Sequence, residues 1–393
     1  MARISEKKYR VGIIGYGGFG HFLNHSWSSL NRIEIRAVSD KNPAIKPPVD
    51  SSFYRDWETL LQDPLIDIVA IATPPSSHVK IACEAMAQGK NVLIEKPIAL
   101  SLKGAKKIIL ASKNSGKIAG VNYMLRFNPL VAHCSNWCNS QIFGQLGRAS
   151  IENYAQDEGL APEHWFWDRK VSGGVLVEHA VHFFDLVNYL VPSRIKKVKG
   201  CTVFRNAKME DRVMASVQYT NGLIASHFHS FSRPGFFEQT SIRFIFDLAQ
   251  VELSGWIPMS GKIQCLLNAE NENVLSKLPG FQLIKKERIE SLADISRPTG
   301  WGMGPIETCK GDGPNKKVII SGGRKYSADF LISGTFALNG VKSEIYADCL
   351  RNLLLDFIAA IDDPEHERKV TLADGYKSLR IALKAKSSAK KKD

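Results

Sequence analysis

Short apolar runs alternate with amphipathic stretches along the first third of the chain. The apolar runs predict strands at residues 11–14, 33–39, 66–72, 91–94 and 118–121. Between them, apolar residues three and four positions apart predict helices at 21–30, 56–62, 78–88 and 102–114, the last closed by Gly116. Apolar strands that alternate with helices of about ten residues indicate βαβ units. We therefore predict an α/β fold that begins with a doubly wound parallel sheet.

The pattern changes from residue 123 onward. Helical spacing at 128–140 and 174–190 is followed by β-rich runs within 196–253, including VMASVQYT, LIASHFHSF and SIRFIFD. Such runs, separated by turn residues, predict an α+β region with a mostly antiparallel, open-faced sheet. Residues 255–335 are Gly-rich with weak strand signals, and their arrangement stays open. Amphipathic helices are predicted at 344–361 and 372–384, the second with Thr371 as its N-cap.

The turn after the first strand has the spacing of a dinucleotide-binding fingerprint. It lies directly between a predicted strand and a predicted helix and contains Gly15, Gly17, Gly18, Phe19 and Gly20. The glycines permit a tight turn, close backbone approach and close packing of the helix. A helix N-terminus offers free N–H donors and partial positive charge to a diphosphate. Asp40 follows Gly15 by 25 residues, near the position of a ribose-binding carboxylate.

At 393 residues the chain is too long for one ordinary domain. We predict a Rossmann domain at 1–122 and an α+β substrate-binding and oligomerisation domain at 123–343. Helices at 344–385 are expected to pack back on the body, and a lysine-rich tail is expected at 386–393. The net charge of +13 suggests nucleic-acid binding at first sight. Five lysines lie in 384–392 without a reader motif, so we predict a solvated tail and no nucleic-acid partner.

Other compositional features bear on location and metal binding. No apolar run approaches the roughly 18–20 residues that span a bilayer, and the basic start MARISEKKYR is not followed by a signal-peptide core. We therefore predict no membrane association. The seven cysteines are scattered and odd in number, which favours a reducing cytoplasm over a disulfide framework. His133, Cys134 and Cys138 share a helical face, but without a clear fourth ligand we favour packing and predict no metal.

Two motifs follow predicted strands, where open α/β sheets bind ligands. Thr73 and Pro74 are either cofactor contacts or a proline-stiffened turn. Lys96, in Glu95-Lys96-Pro97, is either an exposed lysine or an ammonium placed beside a substrate oxygen while a hydride departs. The bond before Pro97 is of the type that adopts the cis form.

A third motif lies in the predicted helix at 174–190. Glu178 and His182 are four residues apart and are expected to share a face, with His179 pointing elsewhere. An imidazole can accept a hydroxyl proton near neutrality, and the carboxylate can bind a hydroxyl or orient the imidazole. A structural histidine is the alternative. Upstream residues suited either to stacking on a sugar ring or to a packed aromatic loop are Trp165, Trp167 and Asp168.

Together these motifs resemble the glucose–fructose oxidoreductase / inositol dehydrogenase (Gfo/Idh/MocA) family across nearly the whole chain. Besides the glycine turn, the similar stretches are ATPPSSHVKIACEAMAQGKNVLIEKP at 72–97, GVNYMLRFNP at 120–129, the Gly-Gly…His helix and the helix at 344–361. The chain departs from the family pattern at Glu178, where aspartate is usual, and at Ala180, where glycine is common. The longer Glu178 side chain leaves the identity of the reacting carbon open.

The resemblance implies an NAD(P)-dependent dehydrogenase that acts on a secondary alcohol of a sugar, polyol or sugar derivative. It assigns Lys96 and His182 to the reacting carbinol, with Glu178 as a third catalytic residue and Arg126 as a further substrate contact. Implied cofactor contacts are Thr73, Pro74, His78, Glu95, Lys96 and Asn122. The family's second sheet usually packs against another subunit, which implies a homodimer or homotetramer.

The charge of Asp40 favours NAD over NADP, since a 2′-phosphate would be repelled by about 1 kcal/mol in water and about 4 kcal/mol at an effective dielectric of 20. Lys41 and Arg36 would offset part of that repulsion. Two other functions stay open: an NAD-dependent lyase or glycosidase that oxidises its substrate transiently, and a non-catalytic dinucleotide-binding regulator. Substrate identity and the physiological direction also stay open.

Overall fold

A six-stranded parallel sheet is formed by the first third of the chain in the computed structural model, which describes residues 7–289 and 318–390. Its strands are β1 (Tyr9–Ile14), β2 (Ile33–Ser39), β3 (Ser52–Tyr54), β4 (Ile68–Ile71), β5 (Asn91–Ile94) and β6 (Ala119–Val121). They lie in the order β3-β2-β1-β4-β5-β6. The order reverses direction between β1 and β4, which opens a crevice at the carboxyl ends of these two strands.

Four helices connect these strands: α1 (Gly18–Trp27), α2 (Trp57–Gln62), α3 (His78–Ala87) and α4 (Leu102–Ser115). The doubly wound sheet is therefore confirmed. The α1 helix begins at Gly18 rather than at residue 21, because the glycine turn itself supplies the first helical turn. Gly116 closes α4 in the left-handed conformation, with φ 67°.

The remainder of the described chain contains a nine-stranded sheet and a separate hairpin. The sheet strands are β7 (Leu146–Gln156), β8 (Ile195–Phe204), β9 (Glu210–Tyr219), β10 (Ile224–Arg233), β11 (Gln239–Phe246), β12 (Ala249–Ser254), β13 (Ser260–Leu267), β14 (Gln282–Arg288) and β17 (Phe330–Ala337). The hairpin is β15 (Val318–Ser321) and β16 (Arg324–Ser327). The sheet order is β14-β17-β13-β12-β11-β7-β10-β9-β8, and β7 and β10 are its parallel pair. The prediction of a mostly antiparallel sheet is confirmed.

Residues 255–335, whose arrangement the sequence left open, contribute strands to this same sheet. β13 and β17 pair with each other, and β14 forms the edge beyond them. Nearly every β14 side chain is exposed, so it lacks the alternation that indicates a strand. Residues 290–317 lie outside the described part of the chain.

The remaining helices are α5 (Pro129–Ser140), α6 (Val175–Glu178), α7 (Val181–Leu190), α8 (Lys342–Asp362) and α9 (Leu372–Lys390). α8 returns to the first sheet, where Trp27 Nε1 donates to Leu350 O at 3.2 Å. α9 packs against α4, α7 and β8. At its start the Asp374 carboxylate accepts hydrogen bonds from the Thr371 N–H (2.9 Å) and hydroxyl (2.7 Å).

The structure differs from the predicted tail at residues 386–390, which are the last turns of α9. Lys386 is half-buried there, and its ammonium donates to Gly173 O at 2.5 Å. A lysine can pack its methylene stem along the protein while its charge lies on a carbonyl oxygen. Lys386 therefore belongs to the packed helix and not to a solvated tail. Residues 391–393 lie outside the described ranges. Within those ranges no helix is long and apolar enough to cross a bilayer.

Candidate active site

A cavity of about 610 Å³ lies at the carboxyl ends of β1, β2 and β4, and we call it the glycine cavity. The sequence-predicted residues that line it are Gly15, Gly17, Gly18, Phe19, Asp40, Thr73, Pro74 and Trp165. Its size falls within the range of small-molecule and cofactor sites.

The four glycines of the turn serve different purposes. Gly15 has φ 91°, and a Cβ placed on it would lie 2.7 Å from the Ala72 carbonyl carbon. A Cβ on Gly20 would lie 2.2 Å from Gly15 O, so Gly20 lets α1 pack onto the turn and does not line the cavity. A Cβ on Gly17 or Gly18 would meet no atom of the described chain within 4 Å apart from its chain neighbours and the backbone of α1 itself. That open space beside the first N–H groups of α1 fits a diphosphate.

The Asp40 carboxylate is held at the rim of the glycine cavity. One oxygen accepts from Tyr16 N at 2.8 Å and the other from Asn42 N at 2.9 Å. A carboxylate has about four lone-pair sites, so acceptor capacity remains for ribose hydroxyls. Lys41 also lines the cavity, whereas Arg36 pairs with Asp63 at 3.4 Å and is not among the lining residues.

A second cavity of about 370 Å³, the histidine cavity, adjoins the first, since Phe19, Thr73 and Trp165 line both. It lies between the two sheets. Its polar and aromatic lining includes Glu95, Lys96, Asn122, Asn153, Trp165, Glu178, His179, His182, Trp256 and Tyr346. The structure therefore brings Lys96 of the first domain and His182 of the second to one space.

Lys96 and Glu178 form an ion pair across the histidine cavity. The ammonium donates to Glu178 O at 2.9 Å and to the Glu178 carboxylate. Their side chains are 14% and 12% exposed, so both charges are largely removed from water. An ammonium has three donors, and the third is available to a group in the cavity. The Lys96–Pro97 bond is cis.

Glu95 and Asn122 form a second polar pair at the same sheet edge. The Asn122 amide N–H donates to the Glu95 carboxylate. Burial raises the pKa of Glu95 to about 7 despite that hydrogen bond and the nearby Lys96. Asn122 Oδ1 is buried without a hydrogen-bond partner in the described chain. A buried acceptor without a partner is costly, and a cofactor amide is a suitable donor for it.

His182 reaches the histidine cavity from the first turn of α7. It is 5% exposed, and its Nδ1 is buried with no partner among the described residues. Its Nε2 is therefore the nitrogen that faces the cavity. Burial, and then the charge of Lys96, hold the pKa of His182 well below its ordinary value of 6.5. The imidazole is neutral at pH 7, the form that can accept a proton.

The prediction that His179 points elsewhere is wrong. The predicted single helix is interrupted, because the N–H groups of His179 and Ala180 both donate to Val175 O at 3.0 Å. This irregular turn directs both His179 and His182 into the histidine cavity, with ring centroids 6.2 Å apart. The His179 Nε2 lies 2.9 Å from Asn153 Oδ1.

Arg126 is not brought to either cavity. It is 4% exposed and pairs with Asp185 at 2.6 Å and Asp374 at 3.2 Å. A third hydrogen bond goes to Lys369 O. Arg126 thus ties α7 to the start of α9, and the expected substrate contact is replaced by domain packing.

Trp167, Asp168 and His78 also act outside the cavities. The Trp167 indole donates to Leu160 O at 3.2 Å, and the exposed Asp168 carboxylate accepts from Lys170 N at 2.8 Å. Each His78 ring nitrogen lies 2.8 Å from a backbone oxygen, of Pro97 and of Thr73. His78 therefore positions the two loops that carry Thr73 and Lys96, without lining either cavity itself.

Several lining residues were not found by sequence analysis. In the glycine cavity these are Arg55 and Trp57; in the histidine cavity they are Asn153, His179, Trp256 and Tyr346. Asn153 lies on β7, which had no strand prediction, and Trp256 follows a glycine with φ 99°. His179 was missed because nothing in the sequence indicated that the helix predicted at 174–190 is interrupted at residue 179.

His133, Cys134 and Cys138 lie on α5, as predicted. Cys134 is fully buried, and burial raises the pKa of the Cys134 and Cys138 thiols above their ordinary value. No group of three or more metal-ligating side chains is placed to hold an ion within residues 7–289 and 318–390.

Comparison with known proteins agrees with this geometry. The family model for the "Oxidoreductase family, NAD-binding Rossmann fold" matches residues 9–123. The "GFO/IDH/MocA C-terminal domain" matches residues 135–249, so the two cover more than half of the chain. The fold and its cavities define an NAD-binding oxidoreductase architecture. The chain belongs to the Gfo/Idh/MocA family.

Two individual relatives share 30% sequence identity or less with this chain. The NAD-linked scyllo-inositol 2-dehydrogenase of Bacillus subtilis is 30% identical over 230 residues, 55% of this chain and 66% of that protein. Levoglucosan dehydrogenase of Pseudarthrobacter phenanthrenivorans is 25% identical over 257 residues, again 55% and 66%. The match thus spans just under two thirds of each relative's length. A solved structure, levoglucosan dehydrogenase in complex with NADH and L-sorbose, shares the fold with a TM-score of 0.70 at 17% identity, covering 98% of this chain and 97% of that one.

Proposed function

We propose that the protein oxidises a secondary alcohol of a sugar, polyol or sugar derivative by hydride transfer to NAD, or catalyses the reverse reduction. The observation that carries this proposal is the meeting of Lys96 and His182 in a cavity that adjoins the glycine cavity. Holding the carbinol in that space makes the transfer a positioned one. The printed names of the relatives, inositol and levoglucosan dehydrogenases, support a polyhydroxylated substrate.

The residues divide the work of oxidation between them. When bound, NAD supplies the carbon that accepts the hydride. His182 Nε2 takes the hydroxyl proton, since burial keeps the imidazole neutral. Lys96 stabilises the developing negative charge on the substrate oxygen with its third N–H, while Glu178 holds the ammonium in place.

The glycine cavity is proposed to hold the cofactor. Gly17, Gly18 and the first N–H groups of α1 bind the diphosphate, and Asp40 binds the ribose hydroxyls. We propose NAD rather than NADP as the preferred cofactor because a 2′-phosphate would meet the Asp40 charge. Comparable affinity for both cofactors would contradict that preference.

The test is NADH formation against a panel of polyols, aldoses and sugar acids, with NADH affinity measured separately. We expect turnover to fall about 10²–10⁴-fold in His182→Ala, the range of a positioned proton-transfer group, and about 10²–10³-fold in Lys96→Ala, the range of one oxyanion-stabilising donor. Cofactor affinity should be nearly unchanged in both variants. Unchanged turnover in both variants would end the proposal. Net accumulation of NADH distinguishes a dehydrogenase from a lyase that oxidises its substrate only transiently.

We also propose a homodimer or homotetramer formed through the outer face of the nine-stranded sheet. Large apolar side chains are exposed on its strands: Met214 (49%), Ile224 (46%), Ile245 (38%) and Ile284 (66%). Light scattering tests the assembly state. A cytoplasmic location is proposed from the free thiols of all six cysteines in the described ranges.

A further inference from the structure

His179 presents an unused ring nitrogen to the histidine cavity. Its Nε2 is bonded to Asn153 Oδ1 at 2.9 Å. Its Nδ1 makes no hydrogen bond to the described chain, and it is not among the buried atoms that lack a partner. Since the residue lines the cavity, Nδ1 is the His179 atom open to a ligand there.

Asn153 determines which His179 nitrogen carries the proton. Its amide N–H donates to Thr240 Oγ1 at 2.7 Å, which turns the amide oxygen toward His179. Asn153 is 2% exposed, so its polar groups depend on these two partners. An amide oxygen can only accept, so Nε2 holds the hydrogen of the neutral ring. Burial lowers the pKa of His179 to about 4, so the ring is neutral at pH 7 and Nδ1 is a hydrogen-bond acceptor.

The two cavity-facing imidazoles are rigidly spaced. Their ring centroids are 6.2 Å apart. The Trp256 ring contacts both imidazoles, with ring centroids 5.5 Å from His179 and 4.7 Å from His182. The Phe231 ring packs against His179 with the centroids 4.9 Å apart. Hydrogen bonds of roughly 2.8 Å from two hydroxyls on neighbouring ring carbons can reach one nitrogen of each imidazole.

We propose that His179 accepts a hydrogen bond from the hydroxyl on the carbon next to the one oxidised, which makes the site selective for a vicinal diol. This inference rests on the proposed function, because His182 engages the reacting hydroxyl. His179 is then a substrate-binding residue, and Asn153 is a positioning residue that acts through it.

The test compares trans-1,2-cyclohexanediol with cyclohexanol. Their binding to the enzyme–NADH complex is measured by ligand-observed NMR, and their oxidation by NADH formation. Wild type should bind the diol about tenfold more tightly, the value of one net hydrogen bond. His179→Phe keeps the ring packing but removes the acceptor, so this preference should fall to about one. The matched control, His227→Phe, changes a fully buried histidine outside the cavity and should keep the preference.

Asn153→Asp tests whether Asn153 acts through His179, because a purely structural role of Asn153 would not make the diol preference depend on pH. A carboxylate beside Nε2–H favours the imidazolium, in which Nδ1 is a donor. The substrate hydroxyl then accepts from Nδ1–H instead of donating to Nδ1, so the diol preference of this variant should change as the pH falls, whereas that of wild type stays constant above pH 5.

Each outcome decides a separate point. An equal loss for diol and mono-alcohol in His179→Phe, or no diol preference in wild type, overturns the inference. A pH-independent preference in Asn153→Asp overturns the positioning role. Normal diol selectivity in binding, with no NADH formed from the diol or from the panel of polyols, aldoses and sugar acids, leaves the inference standing and refutes the proposed oxidation.

Discussion

The glycine cavity and the histidine cavity adjoin each other but are built by different means. One wall of the glycine cavity is the backbone of the glycine turn, with open space where Gly17 and Gly18 have no side chains, and side chains that include Arg55, Trp57 and Trp165 line other parts of it. The histidine cavity is made of side chains from both domains, held by ion pairs and ring contacts. Backbone recognition depends on a short local stretch, whereas side-chain recognition depends on distant elements meeting accurately.

Loss of the support beneath the histidine cavity is expected to have the largest effect. Arg126→Met leaves Asp185 and Asp374 without their shared cation, and removing one partner of a buried ion pair costs about 3–5 kcal/mol. Chemical denaturation should show this loss in the free energy of unfolding. The KM of the fraction that stays folded should change little, because Arg126 lines neither cavity. A large rise in KM at unchanged stability would restore Arg126 as a substrate contact.

In the glycine cavity, filling the open space should affect binding without affecting the fold. Gly17→Val places its Cβ where no atom of the described chain beyond the neighbouring residues lies within 4 Å, so the loss of stability should be limited to the cost of an apolar residue at the N-cap of α1, about 1 kcal/mol. NADH affinity should fall about 100-fold, or about 2.7 kcal/mol, as measured by titration. Gly20→Ala is the control, since its Cβ would lie 2.2 Å from Gly15 O and must lower stability. Normal NADH affinity in Gly17→Val would show that the diphosphate lies elsewhere.

Asp40→Asn tests the charge at the rim of the glycine cavity. The amide keeps one acceptor for the backbone N–H groups but removes the negative charge. The ratio of NADP to NAD affinity should rise about tenfold, corresponding to roughly 1.4 kcal/mol of repulsion relieved. Fluorescence titration with both reduced cofactors measures it. Lys41→Met removes a cation that lines the same cavity and should shift the ratio in the opposite direction.

The buried histidines near the histidine cavity predict the smallest effect, a pH dependence of stability. Burial lowers the pKa of His227 to about 3. Above pH 6.5 both folded and unfolded forms are neutral, so the full stability is present. Between pH 6.5 and 3 the unfolded chain binds a proton that the native one does not. The free energy of unfolding therefore decreases as the pH is lowered, by up to about 1.4 kcal/mol per pH unit.

His227→Phe removes this contribution and should flatten the curve between pH 7 and 5.5, measured by urea denaturation at several pH values. Glu95, whose pKa is raised to about 7, acts with the opposite sign and is the same in both proteins. At pH 7.5 the variant should be at least as stable as wild type, because both His227 nitrogens are buried without partners in the described chain. Parallel pH curves for the two proteins would refute this account.

Local sequence patterns predicted most of the strands and helices of the first domain. The apolar runs, the glycine spacing and Asp40 each depend on neighbours close in sequence. The bounds of the five predicted strands and four predicted helices agree with the structure to within a few residues, whereas the short strand β3 was not predicted. The exceptions share a cause. β7 and β14 become strands because other strands pair with them, and Lys386 continues a helix because Gly173 lies nearby to accept its charge.

The sequence by itself determined the parallel sheet, the glycine turn and the candidate pair Lys96 and His182. Only the tertiary structure decided that His179 faces the same cavity, that Asn153 orients it and that Arg126 is withdrawn into an ion pair. The physical reason is the distance along the chain over which each kind of interaction acts. Periodicity and turn chemistry act over a few residues, whereas hydrogen bonds and ion pairs between domains depend on where distant backbones meet.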